Sequence, residues 1–253
     1  NPLADPGIIG VSASAALGAV VIVALGAAYS SPLAAVGATI AGLAGMWLVT
    51  WISRSASGRT EVVTLVLAGV AVTAFAASIL TVVVAISDSA GARATTLWTT
   101  GSLALATWPG VWSTLPFVIA GLIVAVIVVR SLDVMSLGDS AAWAAGVDVD
   151  RTRRLALAAA VLLVAAGVAV VGVIAFVGLV VPHAVRLLIG PHHGPLLIGS
   201  ALAGALLLLI ADTLARTIVA PVELPLGVVT AIIGAPIFVL LLRRTRAAQG
   251  GWA

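Results

Sequence analysis

Eight apolar runs, at residues 8–28, 33–52, 61–86, 112–129, 155–175, 176–189, 195–211 and 226–242, follow one another with almost no charge inside them. A helix crosses the hydrocarbon core of a bilayer with about twenty apolar residues, at about 1.5 Å of rise each. The period-two alternation of a membrane barrel strand is missing, so the runs read as helices. Nor is there polar material for a water-facing coat: 62% of the 253 residues are hydrophobic and only 8% charged. A soluble domain carries roughly a quarter of its residues as charges. The sequence therefore predicts an all-α integral membrane protein, a helical bundle of about eight spans forming one domain over 1–253.

Local signals punctuate these runs. Asp5-Pro6 and Ser31-Pro32 each set a capping side chain before a proline, and Thr60-Glu61 sets a cap before a first-turn acid. The stretch 155–189 is too long for one span and divides near Ala175. Within "FVGLVVPHAVRLLIGPHH" (176–193), Pro182 removes a donor and crowds the carbonyl of Gly178, which predicts a short span broken there. His183 and Arg186 then mark a polar inner end. Gly37, Ala41 and Gly45 form one small-residue row for close helix packing, and Ser200 with Gly204 forms another. Pro236, two residues after Gly234, is expected to kink the last span.

The arginines orient the bundle. With residue 1 in the cytoplasm, eight crossings put ten of the twelve inside, leaving only Arg93 and Arg216 outside. Basic residues in short loops favour the cytoplasmic side, so residue 1 and the C-terminus are both expected there. Residues 87–111, too polar for a crossing, read as an outer re-entrant or interfacial segment with Trp98 and Trp108 as anchors. The longest inner loop, 131–154, has helix-forming pieces around Gly138 and Gly146. It serves either as a solvated connection or as a docking surface.

Several chemistries are excluded. Cysteine is absent, and so is lysine, every basic residue being arginine. A P-loop needs its lysine, so any ATP must be hydrolysed by a partner. The pI near 11 does not signal nucleic-acid binding, because the arginines are dispersed at the edges of apolar runs. His192-His193 lacks further ligands at metal spacing. The nine acids sit at or near span ends, which disfavours an ion-coupled secondary transporter. No nucleophile–base motif favours an enzyme, and no cofactor or metal is expected. The chain opens on Asn1 with neither initiator Met nor leader pattern, so its true N-terminus is expected to lie upstream.

Four blocks carry a resemblance: "NPLADPGIIGVSASAALGA" at 1–19, "FVGLVVPHAVRLLIGPHH" at 176–193, "ADTLART" at 211–217 and "ELPLGVVTAIIGAPIFVLLLRR" at 223–244. Together they resemble the FecCD-type permeases, membrane subunits of ABC importers for iron–siderophores, haem and cobalamin. The resemblance implies a roughly ten-helix type II importer fold, with about two spans preceding residue 1. It implies a second permease subunit, a cytosolic ABC ATPase dimer, a periplasmic or lipid-anchored substrate-binding protein and surrounding membrane lipid. "MSLGDSAAWAAGV" at 135–147 resembles the family's coupling loop, which places Leu137, Gly138, Asp139 and Gly146 against the ATPase. Arg216 falls on the arginine of the "AD-x-x-AR" motif and would meet an acidic residue of the binding protein. Gly101 and Ser102 resemble the re-entrant segment of the pathway, and Gly234 and Pro236 would bend the final, pathway-lining helix. Pro182 would shape the short span, with His183 and Arg186 tying its inner end to neighbouring loops. The activity implied is ATP-driven import of an Fe(III)–siderophore-type chelate by alternating access, with haem or cobalamin as alternatives and a secondary transporter as a rival of another class.

Overall fold

All eight runs are helical in the computed structural model, which describes residues 7, 9–28, 31–53, 62–86, 99–219 and 223–248. Among the described residues the helices are α1 (Val11–Ala24), α2 (Pro32–Ile52), α3 (Val62–Ile86), α4 (Trp108–Met135), α5 (Asp139–Ala144), α6 (Val149–Val171), α7 (Val177–Ile189), α8 (His193–Thr217) and α9 (Leu226–Ala248), with a 3-10 turn at Leu103–Leu105. Helices α2, α3, α4, α6 and α8 are long and apolar enough to cross a membrane. Their outward side chains are apolar too: Leu67 and Phe75 on α3, Val126 and Ile127 on α4, and Leu202 and Leu209 on α8 are all exposed. A water-soluble fold does not present such continuous apolar faces. The other three have shorter apolar stretches, Val11–Ala24, Val177–Ile189 and Leu226–Leu240. The 13 residues of α7 rise only about 20 Å, against a hydrocarbon core of about 30 Å. The run 176–189, counted as one crossing in the arginine argument, forms the shortest of the eight apolar helices.

Helix ends show which local signals acted. Ser31 caps α2 as expected, its Oγ accepting from the Ala34 amide at 3.2 Å with Pro32 at the first helical position. The first helix, by contrast, does not start behind Asp5-Pro6. A turn intervenes and α1 begins at Val11, because Gly10 takes φ 81, a left-handed conformation that stops helical propagation toward the N-terminus. Helix α4 begins earlier than the apolar run did. Thr107 accepts from the Gly110 amide at 3.3 Å and Pro109 follows in the first turn, so Trp108 is the first residue of this helix. The same helix runs on to Met135 and α6 starts at Val149, which shortens the 131–154 loop to 136–148 around α5. Asp5-Pro6, Thr60-Glu61, Trp98, Arg54, Arg59, Arg93 and the side chains of Arg243, Arg244 and Arg246 lie outside the described residues.

The division of 155–189 expected near Ala175 is present, whereas the separate break expected at Pro182 is not. Pro182 lies inside an unbroken α7. The break is at residues 172–176, where Gly172 takes φ 77 and ψ −165 and Phe176 takes φ 65. A proline six residues into a helix disturbs one turn. Two positive-φ residues in five, with no regular structure between them, end the helix outright.

Two compact units divide the chain, one of Pro6–Val173 and one beginning at Ile174. In the first, α1 packs along α2, and both pack on α6, around a core of Ala15, Ala16, Ala19, Ala35, Ala38, Ala165 and Ala169. Small residues let the backbones meet, which substitutes for the hydrophobic drive that lipid does not supply. A Cβ on Gly18 would collide with the Gly37 carbonyl and Ala41, and one on Gly45 with Ser14, so the Gly37–Ala41–Gly45 row is the α2 face against α1. In the second unit α7 packs on α8 through Val181, Val185 and Leu196. Here the expected Ser200–Gly204 row is not the contact. Gly204 has open space where a Cβ would stand, whereas one on Gly199 would lie 2.8 Å from Val185.

Candidate functional site

The loop between α4 and α6 is built by two positive-φ glycines, Gly138 in a region open essentially to glycine alone and Gly146 in one that asparagine also tolerates. Gly138 takes φ 104 and ψ 152 at the start of α5, and Gly146 takes φ 80 after its end. The amides of Gly146 and Val147 return to the carbonyls of Trp143 and Ala142, both at 2.9 Å, which closes the short helix. Asp148 then caps α6 through the Arg151 amide at 2.9 Å. Asp139, the first residue of α5, accepts from Arg153 at 3.1 and 3.4 Å and so ties α5 to the first turn of α6. Ala142 faces inward with no exposure, while Leu137 and Trp143 are 76% and 78% exposed. The result is a rigid, one-and-a-half-turn knob with two large apolar side chains outward. Trp143 also edges an open groove with Gly146, Asp148 and Asp150. The four residues singled out in the sequence therefore share this one loop. Trp143 was missed, although an indole between two loop glycines was a visible signal.

Arg216 sits in the last turn of α8 and donates from Nε to Asp212 at 2.8 Å. The i,i+4 spacing inside "ADTLAR" brings the acid onto the same helical face. That spacing was legible, and Asp212 was the residue overlooked. The guanidinium remains 42% exposed, which leaves donors open to a second acceptor. The connection to α9 is held at this end by the Leu224 amide, which donates to the Ala215 carbonyl at 3.1 Å.

The four pathway candidates fall in two places. Gly101, buried with φ 76, precedes Ser102, whose amide donates to the Val171 carbonyl at 2.9 Å. This bond satisfies one of the carbonyls orphaned where α6 stops. Ser102 Oγ also caps the 3-10 turn at the Ala104 amide, at 3.1 Å. Gly234 is buried in α9 under Phe176: a Cβ on it would stand 2.6 Å from the Phe176 Cβ. Pro236 is exposed two residues on, and the helix runs through it. Gly101 and Ser102 belong to the first unit, Gly234 and Pro236 to the second. His192 is extended, at φ −66 and ψ 127, immediately before α8, and His193 is the first residue of that helix.

Comparison with known proteins agrees with this architecture. The model of the FecCD transport family matches residues 1–244. The chain is 40% identical to the hemin transport system permease protein HmuU of Yersinia pestis, over 99% of this chain and 76% of that one. It is 43% identical to the Fe(3+) dicitrate transport system permease protein FecD of Escherichia coli, over 97% of this chain and 76% of that one. A solved structure of a metal-chelate type ABC transporter in an inward-facing conformation superposes with a TM-score of 0.80 at 30% identity, covering 96% of this chain and 77% of that one. With apolar helices of spanning length, a match over almost its whole sequence and a shared fold, this chain is a multi-pass membrane protein of the FecCD transport family, a permease of the ABC importer type.

Proposed function

We propose that the chain is the translocation subunit of an ATP-driven importer that carries an Fe(III) chelate of the siderophore type into the cytoplasm. The observation that carries this reading is the 136–148 loop, a short helix fixed between two left-handed glycines with Leu137 and Trp143 outward. A solvated connection has no use for two exposed apolar side chains on a rigid mount; a docking surface for another protein does. On this reading the loop is cytoplasmic and receives the ATPase dimer, and a second permease subunit completes the pathway. Arg216, which the arginine count leaves outside, meets an acid of the substrate-binding protein. ATP-driven closure of the ATPases pushes α5, and the Asp139–Arg153 pair passes the displacement to α6 as a rigid-body movement.

The choice of an Fe(III) chelate rests on the dicitrate and metal-chelate relatives; the hemin relative makes haem the main competitor. A secondary transporter is disfavoured because the acids of the described spans lie near helix ends, and Asp212 is paired with Arg216. The test is uptake into proteoliposomes holding the permease, its ATPase and its binding protein. Radiolabelled Fe(III)–siderophore, Fe(III)–dicitrate, haem and cobalamin are each presented with and without lumenal ATP. ATP-dependent accumulation of an iron chelate supports the reading. Accumulation of haem or cobalamin alone reassigns the cargo, and uptake that follows an ion gradient without ATP refutes the mechanism.

A further inference from the structure

Phe176 is the one described non-glycine residue with positive φ, and it is a bulky one. Its φ of 65 and ψ of −18 put it in the left-handed region immediately before α7. A side chain with a Cβ avoids that region unless its surroundings over-determine it. The surroundings here are specific. The Phe176 side chain lies over Gly234 of α9, where any Cβ would approach the Phe176 Cβ to 2.6 Å and Cγ to 3.1 Å. Around the contact, Val180, Leu207, Ala211 and Ile237 line an apolar gap of about 40 Å³, so the seat is not fully packed. The competing conformation is equally clear. Residues 173–176 (Val-Ile-Ala-Phe) carry no proline or glycine, and a right-handed Phe176 lets α7 grow toward its N-terminus.

From this geometry we infer that Phe176 and Gly234 form a two-state latch of the transport cycle: with the ring on Gly234 the backbone is held left-handed and α7 stays short, and when α9 withdraws Phe176 turns right-handed and α7 lengthens. Strain and seat are coupled. The left-handed backbone persists only while the ring is held, and the ring reaches its seat only from that backbone. An element with two discrete arrangements, biased by a neighbour's position, transmits a displacement where a continuously deformable one would dissipate it. This inference rests on the transport reading for its place in the cycle, while the latch itself is a property of the second unit.

The chain holds four phenylalanines, so 4-fluorophenylalanine labelling yields four fluorine signals, with Phe176 assigned by its loss in Phe176→Leu. In the purified permease, Gly234→Ala is expected to move the Phe176 signal to a second position, changing the ratio of the two states by about tenfold, the factor matching the usual penalty of a left-handed side chain. A Phe176 signal that keeps its place in Gly234→Ala, with the other three unchanged, overturns the latch. If Gly234→Ala does not fold, Gly234→Ala combined with Phe176→Gly, which removes the obstructing ring, is expected to restore folding; failure to restore it overturns the latch as well. In the wild-type complex with its ATPase, trapping with ATP and vanadate is expected to move the same signal. An unmoved signal in a complex that imports substrate removes the latch from the cycle. A wild-type complex with no ATP-driven uptake refutes the transport reading instead, and leaves the Gly234→Ala result to decide the latch.

Discussion

Replacing Gly138 by alanine tests whether the α4–α6 loop transmits ATPase movement, and the structure sets the size of the effect. At φ 104 and ψ 152 the residue occupies a region open essentially to glycine alone, where a side chain costs about 1–3 kcal/mol. No heavy atom lies within 4 Å of the position its Cβ would take, so the whole penalty is backbone and none is collision. Relief requires φ to turn negative, which swings the first turn of α5 and takes Asp139 off Arg153. Gly146, at φ 80 and also facing open space, is left-handed in a way that asparagine tolerates. The expected order of damage is Gly138→Ala first, Gly146→Ala second, and Gly146→Asn close to wild type. Gly204→Ala serves as control: its added methyl meets open space within a helix, and alanine there is neutral or stabilising by up to about 1 kcal/mol. Each 1.4 kcal/mol is about a tenfold population change, so Gly138→Ala should raise the ATP hydrolysed per substrate imported by roughly tenfold. Hydrolysis and uptake are measured in the same proteoliposomes, with a thermal melt to show that the bundle is intact. An unchanged ratio for Gly138→Ala, or an equal loss for Gly204→Ala, refutes the argument.

Arg216→Glu reverses the exposed charge and sets it one turn from Asp212, so binding-protein affinity and uptake should fall while assembly with the ATPase is spared; affinity unchanged across a salt series removes Arg216 from docking. Gly18→Leu should destabilise the bundle by about 1–3 kcal/mol, read as a lowered melting temperature in detergent, because α1 cannot then approach Gly37 and Ala41; an unchanged melt contradicts that close contact. Arg153→Ala should change global stability by less than about 1 kcal/mol, since both partners of the ion pair are well exposed and screened, yet raise the ATP-to-substrate ratio; a large melting shift without a coupling change reverses that assignment.

Relatives with named cargo do not transfer that cargo by identity alone, and the geometry explains why. Gly18 against Gly37 and the two positive-φ glycines around α5 shape a helix contact and a loop, and neither feature specifies a cargo. The apolar outward faces of α3, α4 and α8 carry no pattern of polar groups that would select one chelate over another.

The sequence by itself determined the membrane class, the helical elements and where most of them lie, because spanning lipid forces every backbone polar group into local hydrogen bonds and leaves the apolar runs one available structure. It also showed the Ser31 cap and the placement of Leu137, Gly138, Asp139 and Gly146 in one loop, since both depend on neighbours a few residues away. Tertiary structure decided what depends on distant partners. Pro182 was expected to break its helix, yet α7 runs through it; the division foreseen near Ala175 falls at 172–176, where the Phe176 ring lies over Gly234, more than fifty residues on. The contact row of α8 was likewise settled by Val185 against Gly199 and not by the spacing of Ser200 and Gly204. Backbone solvation is a local demand that each segment meets alone, whereas a seat for a ring or a groove for a neighbouring helix exists only after the chain has brought its far ends together.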